Sequence, residues 1–162
     1  MNRNDYLKYV QEHIKNVQEV FNSVLEILKH TVSTEELKEL ECLIRDHDNS
    51  KLTEREFDGY CQWFFNDGGV KEKNKFSMAW NHHQKANPHH WQYWIMWKSG
   101  GSIALDMPIV YVLEMLCDWA AMSRKFDNNI IDWWNKERPN MLLSGNTRKL
   151  VDHHIGLFVE KK

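Results

Sequence analysis

The sequence predicts an all-α fold, one helical domain spanning residues 1–162. Three observations support this. Apolar residues recur at spacings of three and four along most of the chain. The 162 residues include only three prolines and seven glycines. No run of alternating β-branched residues is long enough to build a sheet.

The first helix is expected from Asn4 to Lys29. Leu7, Val10, Ile14, Val17, Phe21, Val24 and Leu28 form its buried stripe, and His13 sits beside that stripe. A second helix starts at Ser33–Thr34, where Ser33 and Glu36 have capping-box spacing. Leu37, Leu40 and Ile44 carry its apolar face, and His47 continues it. A third helix starts near Thr53, with Thr53 and Glu56 again at capping-box spacing. It offers Phe57, Tyr60, Phe64 and Phe65 to the core and ends at Asp67-Gly68-Gly69.

A fourth helix runs from Val70 to Ala86, with Phe76, Ala79, Trp80 and His83 on one face. Asn87-Pro88 ends it. The segment HHWQYWIMW follows, then a flexible KSGGS loop. Met107-Pro108 opens a helix that reaches Arg124, with Asp106 as its cap and Pro108 in its first turn. Glu114 and Asp118 lie one turn apart on one face of it. Shorter helices follow at Ile130–Lys136 and Thr147–Phe158.

Hydrophobic content of 42% and charged content of 27% are ordinary for a globular protein. The net charge of -2 gives no global attraction to nucleic acid or anionic membrane. No apolar run has the length of a membrane span, and the N-terminus lacks the apolar core of a signal peptide. Cys42, Cys61 and Cys117 are odd in number and form no CxxC pair, which fits free thiols, core positions and a cytoplasmic setting. The tryptophans at 80, 91, 94, 97, 119, 133 and 134 are expected mostly in the core.

The string RDHDNSKL, Arg45–Leu52, is the most informative. A His-Asp pair ending a buried face is costly unless the carboxylate is paired or binds metal. The competing reading is a helix C-terminal His47 with Asp48 capping the next turn. Imidazole and carboxylate together suit iron, zinc, manganese or magnesium. Other inward-facing candidates are His13, the quartet His82, His83, His89 and His90, and Asp118. Adjacent histidines on a regular helix point about 100° apart, so His82 and His83 cannot both face one metal. Irregular backbone after Pro88 lets His89 and His90 turn inward. Two or three of the four are expected to be ligands; the alternative is a solvated, pH-sensitive cluster. His30, His153 and His154 match no ligand spacing and read as surface or helix-end residues.

The order His13, His47-Asp48, quartet, Asp118, with Lys51 three residues after the doublet, resembles the HD-domain superfamily of metal-dependent phosphohydrolases. The resemblance spans roughly Asn4 to Arg124 and implies an HD-domain-like helical bundle. The string HHQKANPHH is also similar to one in a family of phage and bacterial proteins of unknown function, which implies a phage source and a host-cytoplasm location. The Gly-Tyr-Pro signature of the cyclic-diester branch is missing.

The superfamily resemblance implies one or two divalent ions (Fe, Mn, Zn, Mg or Co) bridged by Asp48 around a hydroxide that attacks phosphorus. His13, His47 and Asp118 would serve mainly one ion, and His82, His83, His89 and His90 the other. Lys51 would approach the phosphate or orient Asp48, and Glu114 would be a competing ligand or an acid/base group. Lys98 and Arg124 are further phosphate contacts. The implied substrate is a small phosphorylated molecule, a nucleotide, cyclic nucleotide signal or other phosphoester. Two other readings keep the fold: a di-iron oxygenase with the same ligands, and a non-catalytic nucleotide- or protein-binding module.

Overall fold

The structure is a computed structural model and describes residues 2–66, 69 and 71–159. Seven α-helices dominate these residues, as the periodicity predicts, and one small two-stranded sheet accompanies them.

Helix α1 spans Arg3–Leu28, capped by the Asn2 side chain, which accepts from the Asp5 amide. Of the expected stripe, Val10, Val17, Phe21, Val24 and Leu28 are buried. Tyr6, His13 and Val20 are fully buried, whereas Leu7 and Ile14 are only partly so. Helix α2 spans Thr34–Arg45 and starts with the expected Ser33–Glu36 capping box. It ends before His47, so that histidine lies in the following turn rather than on a continuing helical face.

Helix α3 spans only Phe57–Phe64. Thr53 and Glu56 form no capping box, because the Glu56 carboxylate turns inward to histidines of the next helix. Phe64 is exposed. Of the expected stop at Asp67-Gly68-Gly69, Asp67 and Gly68 lie outside the described residues, as does Val70. Helix α4 is Lys73–Ala86 and ends at Asn87, as the Asn-Pro pair predicts.

After a 3-10 turn, Trp91–Trp94, the chain forms a β-hairpin, and the KSGGS stretch expected as a flexible loop carries its reversal. β1 (Ile95–Lys98) pairs antiparallel with β2 (Gly101–Ala104), Ile95 opposite Ala104. Its tight reversal needs positive φ at Gly100 and Gly101, which only glycine adopts without strain. Helix α5 is Ile109–Lys125, with Pro108 as its N-cap residue. Asp106 does not cap it; its carboxylate accepts from Asn146 Nδ2 at 2.8 Å. Helices α6 (Ile130–Glu137) and α7 (Gly145–His154) follow, the latter running on as a 3-10 turn, Ile155–Phe158.

Helix α5 is apolar nearly all round and is therefore the central element. It packs on α1, α2, α6 and α7. Val17, Val24 and Leu28 meet Leu40, Ile44, Leu113, Leu116 and Trp134 in the larger core. A second cluster joins the start of α1 to α3 and α4 through Tyr6, Val10, Phe57, Tyr60 and Ala79. His13 stands on α1 between Val10 of one cluster and Val17 of the other, so the seam between the cores is where the polar site lies.

Cys61 and Cys117 are buried, but Cys42 is exposed because it faces outward on α2. Among the tryptophans Trp134 is fully buried; Trp80 and Trp97 are exposed, the latter because it sits on the hairpin. His30 and His153 lie at the surface, whereas His154 at the end of α7 is buried, with Nδ1 donating to Leu150 O at 2.8 Å. Among the described residues no helix is long and apolar enough to cross a membrane.

Candidate metal centre

The His47-Asp48 pair owes its geometry to the end of α2. Asp48 has φ 57°, in the left-handed region that aspartate tolerates better than most residues. This reversal lets two consecutive side chains bury together, His47 at 1% exposure and Asp48 at 2%. The 3-10 turn Asn49–Leu52 then brings Lys51 back, and its ammonium donates to Asp48 Oδ2.

Asp48 stands between two sets of imidazoles. Its Oδ2 lies 3.2 Å from His13 Nε2 and 3.6 Å from His47 Nε2. Its Oδ1 lies 3.2 Å from His83 Nε2 and 3.4 Å from His89 Nε2. Asp118 Oδ1 completes the first set, 3.2 Å from His13 Nε2 and 4.0 Å from His47 Nε2. His13, His47 and Asp118 bring ligand atoms within 4.8 Å of one another, and so do Asp48, His83, His89 and His90.

Two buried carboxylates hold these rings from behind. Glu114 Oε1 lies 2.9 Å from His47 Nδ1 and 3.1 Å from His89 Nδ1. Glu56 Oε2 lies 2.9 Å from His83 Nδ1, and its Oε1 is 2.7 Å from His82 Nδ1. An ionised carboxylate only accepts, so each Nδ1 carries the proton and donates. For His47 and His83 the Nε2 lone pair is thereby aimed at the Asp48 side, and the Nε2 atom of His89 faces the same carboxylate. Carboxylates behind ligating histidines commonly fix tautomer and orientation in this way. Ser50 Oγ donates to Glu56, and Asn87 Nδ2 donates to Ser50 Oγ and to His83 O.

The electrostatics follow from this packing. Burial disfavours the charge on Asp48, but Lys51, His47 and His83 overcome that and hold its pKa well below the usual range. Asp118 and Glu114 are likewise held down against burial, by His13 and by His47 with His89 respectively. Burial alone would lower His89; Asp48 and Glu114 outweigh it and push it up to about 10. His90 is the opposite case. Burial and its neighbours His89 and His83 drive its pKa well down, so it stays neutral with its lone pair free.

The donor set fits divalent metal. His13 Nε2, His47 Nε2, His89 Nε2, His90 Nε2 and Asp48 Oδ1 are buried and have no hydrogen-bond partner. Buried polar atoms are seldom left so; His13 and His47 belong to one ligand set and Asp48, His89 and His90 to the other, and coordination would satisfy both. The imidazole–carboxylate mixture suits zinc, iron or manganese.

Of the expected ligands, the structure brings together His13, His47, Asp48, His83, His89, His90 and Asp118. It does not bring in His82, whose Nδ1 is turned to Glu56 at the edge of the site. Glu114 can approach a metal only together with His47 and His89, and it does not line the adjoining cavity. Its contacts are to the outer nitrogens of His47 and His89. Lys98 and Arg124 also lie outside that cavity, Lys98 on β1 and Arg124 beside a second one. Sequence reasoning missed Glu56. Its capping-box spacing offered an ordinary explanation, and only the fold reveals the histidines facing it.

A cavity of about 600 Å³ opens from the cluster, lined by Lys51, His83, His89, His90 and Asp118 on the polar side and mainly by aromatics elsewhere.

Fold and site together define an all-α protein with a buried histidine–carboxylate cluster able to hold metal. The chain matches, over residues 2–157, a family of unknown function, DUF5662, and belongs to it. No curated protein and no solved structure matches it.

Proposed function

We propose that this protein is a metal-dependent phosphohydrolase acting on a small phosphoester, with a nucleotide among the candidate substrates. The observation that carries the reading is the position of Asp48. Its Oδ2 faces His13 and His47 and its Oδ1 faces His83 and His89 beside an open cavity, and of these nitrogens those of His13, His47 and His89 have no hydrogen-bond partner. A carboxylate so placed can bridge two metal ions, the arrangement that serves in-line displacement at phosphorus. The order of His13, His47-Asp48 and Asp118 along the chain, with its resemblance to the HD-domain superfamily, supports the same reading.

His13, His47 and Asp118 would hold one ion, His83, His89 and His90 the other, and Asp48 would join them. When bound, such ions lower the pKa of water toward neutrality and neutralise charge on phosphoryl oxygens. Glu114 and Glu56 keep the protons on the outer ring nitrogens, so the inner nitrogens remain donors to metal. Lys51 stays charged despite its burial, because Asp48 and Asp118 raise its pKa. It lines the cavity and can meet a phosphoryl oxygen. The net reaction forms one P–O bond from water and breaks the ester P–O bond. The leaving oxygen takes one proton of the water; the other stays on the phosphate released from a monoester, or passes to solvent when the substrate is a diester.

The test is elemental analysis of the purified protein, then turnover of a phosphoester panel with zinc, manganese, iron and magnesium in turn. Stoichiometric metal with hydrolysis of at least one ester is expected, and Asp48→Ala should abolish that hydrolysis. Retained activity in Asp48→Ala contradicts the mechanism.

A further inference from the structure

The cavity beside the cluster is chemically lopsided. Ten of its lining side chains are Phe, Tyr or Trp and three are Met. Two of the tryptophans directly follow proposed ligands in the chain, Trp91 after His90 and Trp119 after Asp118. Two aromatics that line it, Phe64 and Phe126, are also among the most exposed apolar residues, which places aromatic surface at its mouth. Against this stands little cationic capacity. Apart from the histidines, Lys51 is the one basic side chain among its described lining residues, and its ammonium already donates to Asp48.

One further polar atom is unaccounted for. Tyr60 is 6% exposed, lines the cavity, and its hydroxyl has no hydrogen-bond partner. Its ring packs edge-on against His83, with centroids 5.9 Å apart, and Lys51 Nζ lies 5.8 Å from its centroid. Tyr60 therefore stands beside both the cluster and the lysine. Burial, with the negative charges of Glu56 and Asp48, raises its pKa, so the hydroxyl keeps its proton and can donate. A buried hydroxyl without a partner is destabilising, a cost that a ligand oxygen would remove.

We propose that the cavity selects a single phosphoryl group carried on a flat, uncharged aromatic or heteroaromatic substituent. Lys51 and Tyr60 meet the phosphoryl oxygens, and the Trp91 and Trp119 side receives the ring. Phosphoryl chains of two or three groups are disfavoured, because among the described lining residues Lys51 is the one cation outside the histidines. The assignment rests on the phosphoester reading above and narrows it to one substrate class.

Zinc-loaded protein with verified metal content is titrated with 1-naphthyl phosphate, glycerol 1-phosphate and adenosine triphosphate, and turnover of each is followed separately. The naphthyl ester should bind about tenfold or more tighter than glycerol phosphate, the range that stacking on aromatic side chains contributes. It should also bind more tightly than the triphosphate. Trp119→Ala should erase the naphthyl-to-glycerol preference while metal content is kept. Tyr60→Phe, which keeps the ring, should weaken both monoesters by a similar factor of about five to ten. Equal binding of the naphthyl and glycerol esters, or tighter binding of the triphosphate, overturns the assignment. Preferential naphthyl binding without turnover supports it while removing the hydrolase reading. Turnover of all three compounds with no preference in binding does the reverse.

Discussion

Glu114 accepts a hydrogen bond from His47 Nδ1 at 2.9 Å, and that contact turns the other nitrogen of His47 toward Asp48. The same Glu114 oxygen faces His89 Nδ1 at 3.1 Å, so one carboxylate sets a ring in each half of the cluster. Glu114→Leu removes the acceptor while keeping most of the bulk. Metal affinity should fall about 10–100-fold, the usual effect of losing such a partner. Competition with a chelator measures it, and unchanged affinity would show that Glu114 does not orient the ligands.

His82 and His90 provide an internal contrast. Both are half-buried, but His82 is turned to Glu56, whereas His90 is neutral and has a buried, unpartnered Nε2. His90→Ala should lower the metal content of the purified protein. His82→Ala should leave it unchanged. Metal-to-protein ratios decide, and the reverse pattern would exchange the two roles.

The metal-free protein should respond to alkali in a way that loading reverses. His89 has its pKa pushed up to about 10 by Asp48 and Glu114 against the cost of burial. A raised histidine pKa contributes stability that is complete below the ordinary value of about 6.5 and is lost as pH rises through the folded value. Tm of the chelator-treated protein should therefore decline between about pH 6.5 and 10. Metal needs the neutral ring, so the loaded protein should lose that decline. Thermal melts at several pH values, with and without chelator, make the comparison. A flat metal-free profile would contradict the charge state assigned to His89.

Gly59 marks a close approach of α3 and α4. A Cβ there would sit 2.6 Å from Ala79 Cβ and 2.9 Å from Lys75 O, and the latter is backbone and cannot yield easily. Gly59→Ala should destabilise the protein by about 1–3 kcal/mol, as overpacking generally does. Because α4 carries His83, metal affinity should fall as well. Urea unfolding gives the first quantity; a wild-type midpoint would mean that the helices separate without cost.

Much of the helical content was legible because it depends on local signals. The Ser33–Glu36 capping box, the Asn87 stop of α4 and the period of α1 act within a few residues of one another, and each appears in the structure. The hairpin at Ile95–Ala104 was not legible. Its strands are four residues each, and pairing across the Gly100–Gly101 reversal decides them rather than propensity. Thr53 and Glu56 show the opposite failure, a good local signal overridden when Glu56 found histidine partners 26 and 27 residues away.

The sequence by itself determined which residue types were available for the site and their order: His13, His47-Asp48, the quartet and Asp118. It also determined the all-α class, because apolar periodicity and caps are properties of neighbouring residues. Only the tertiary structure decided which ring nitrogens face Asp48, that His82 turns away, and that Glu56 and Glu114 stand behind the ligands. The physical reason is range. A helix period is set over four residues, but the direction of a buried imidazole is set by the carboxylate that accepts its proton, and that partner arrives from another helix.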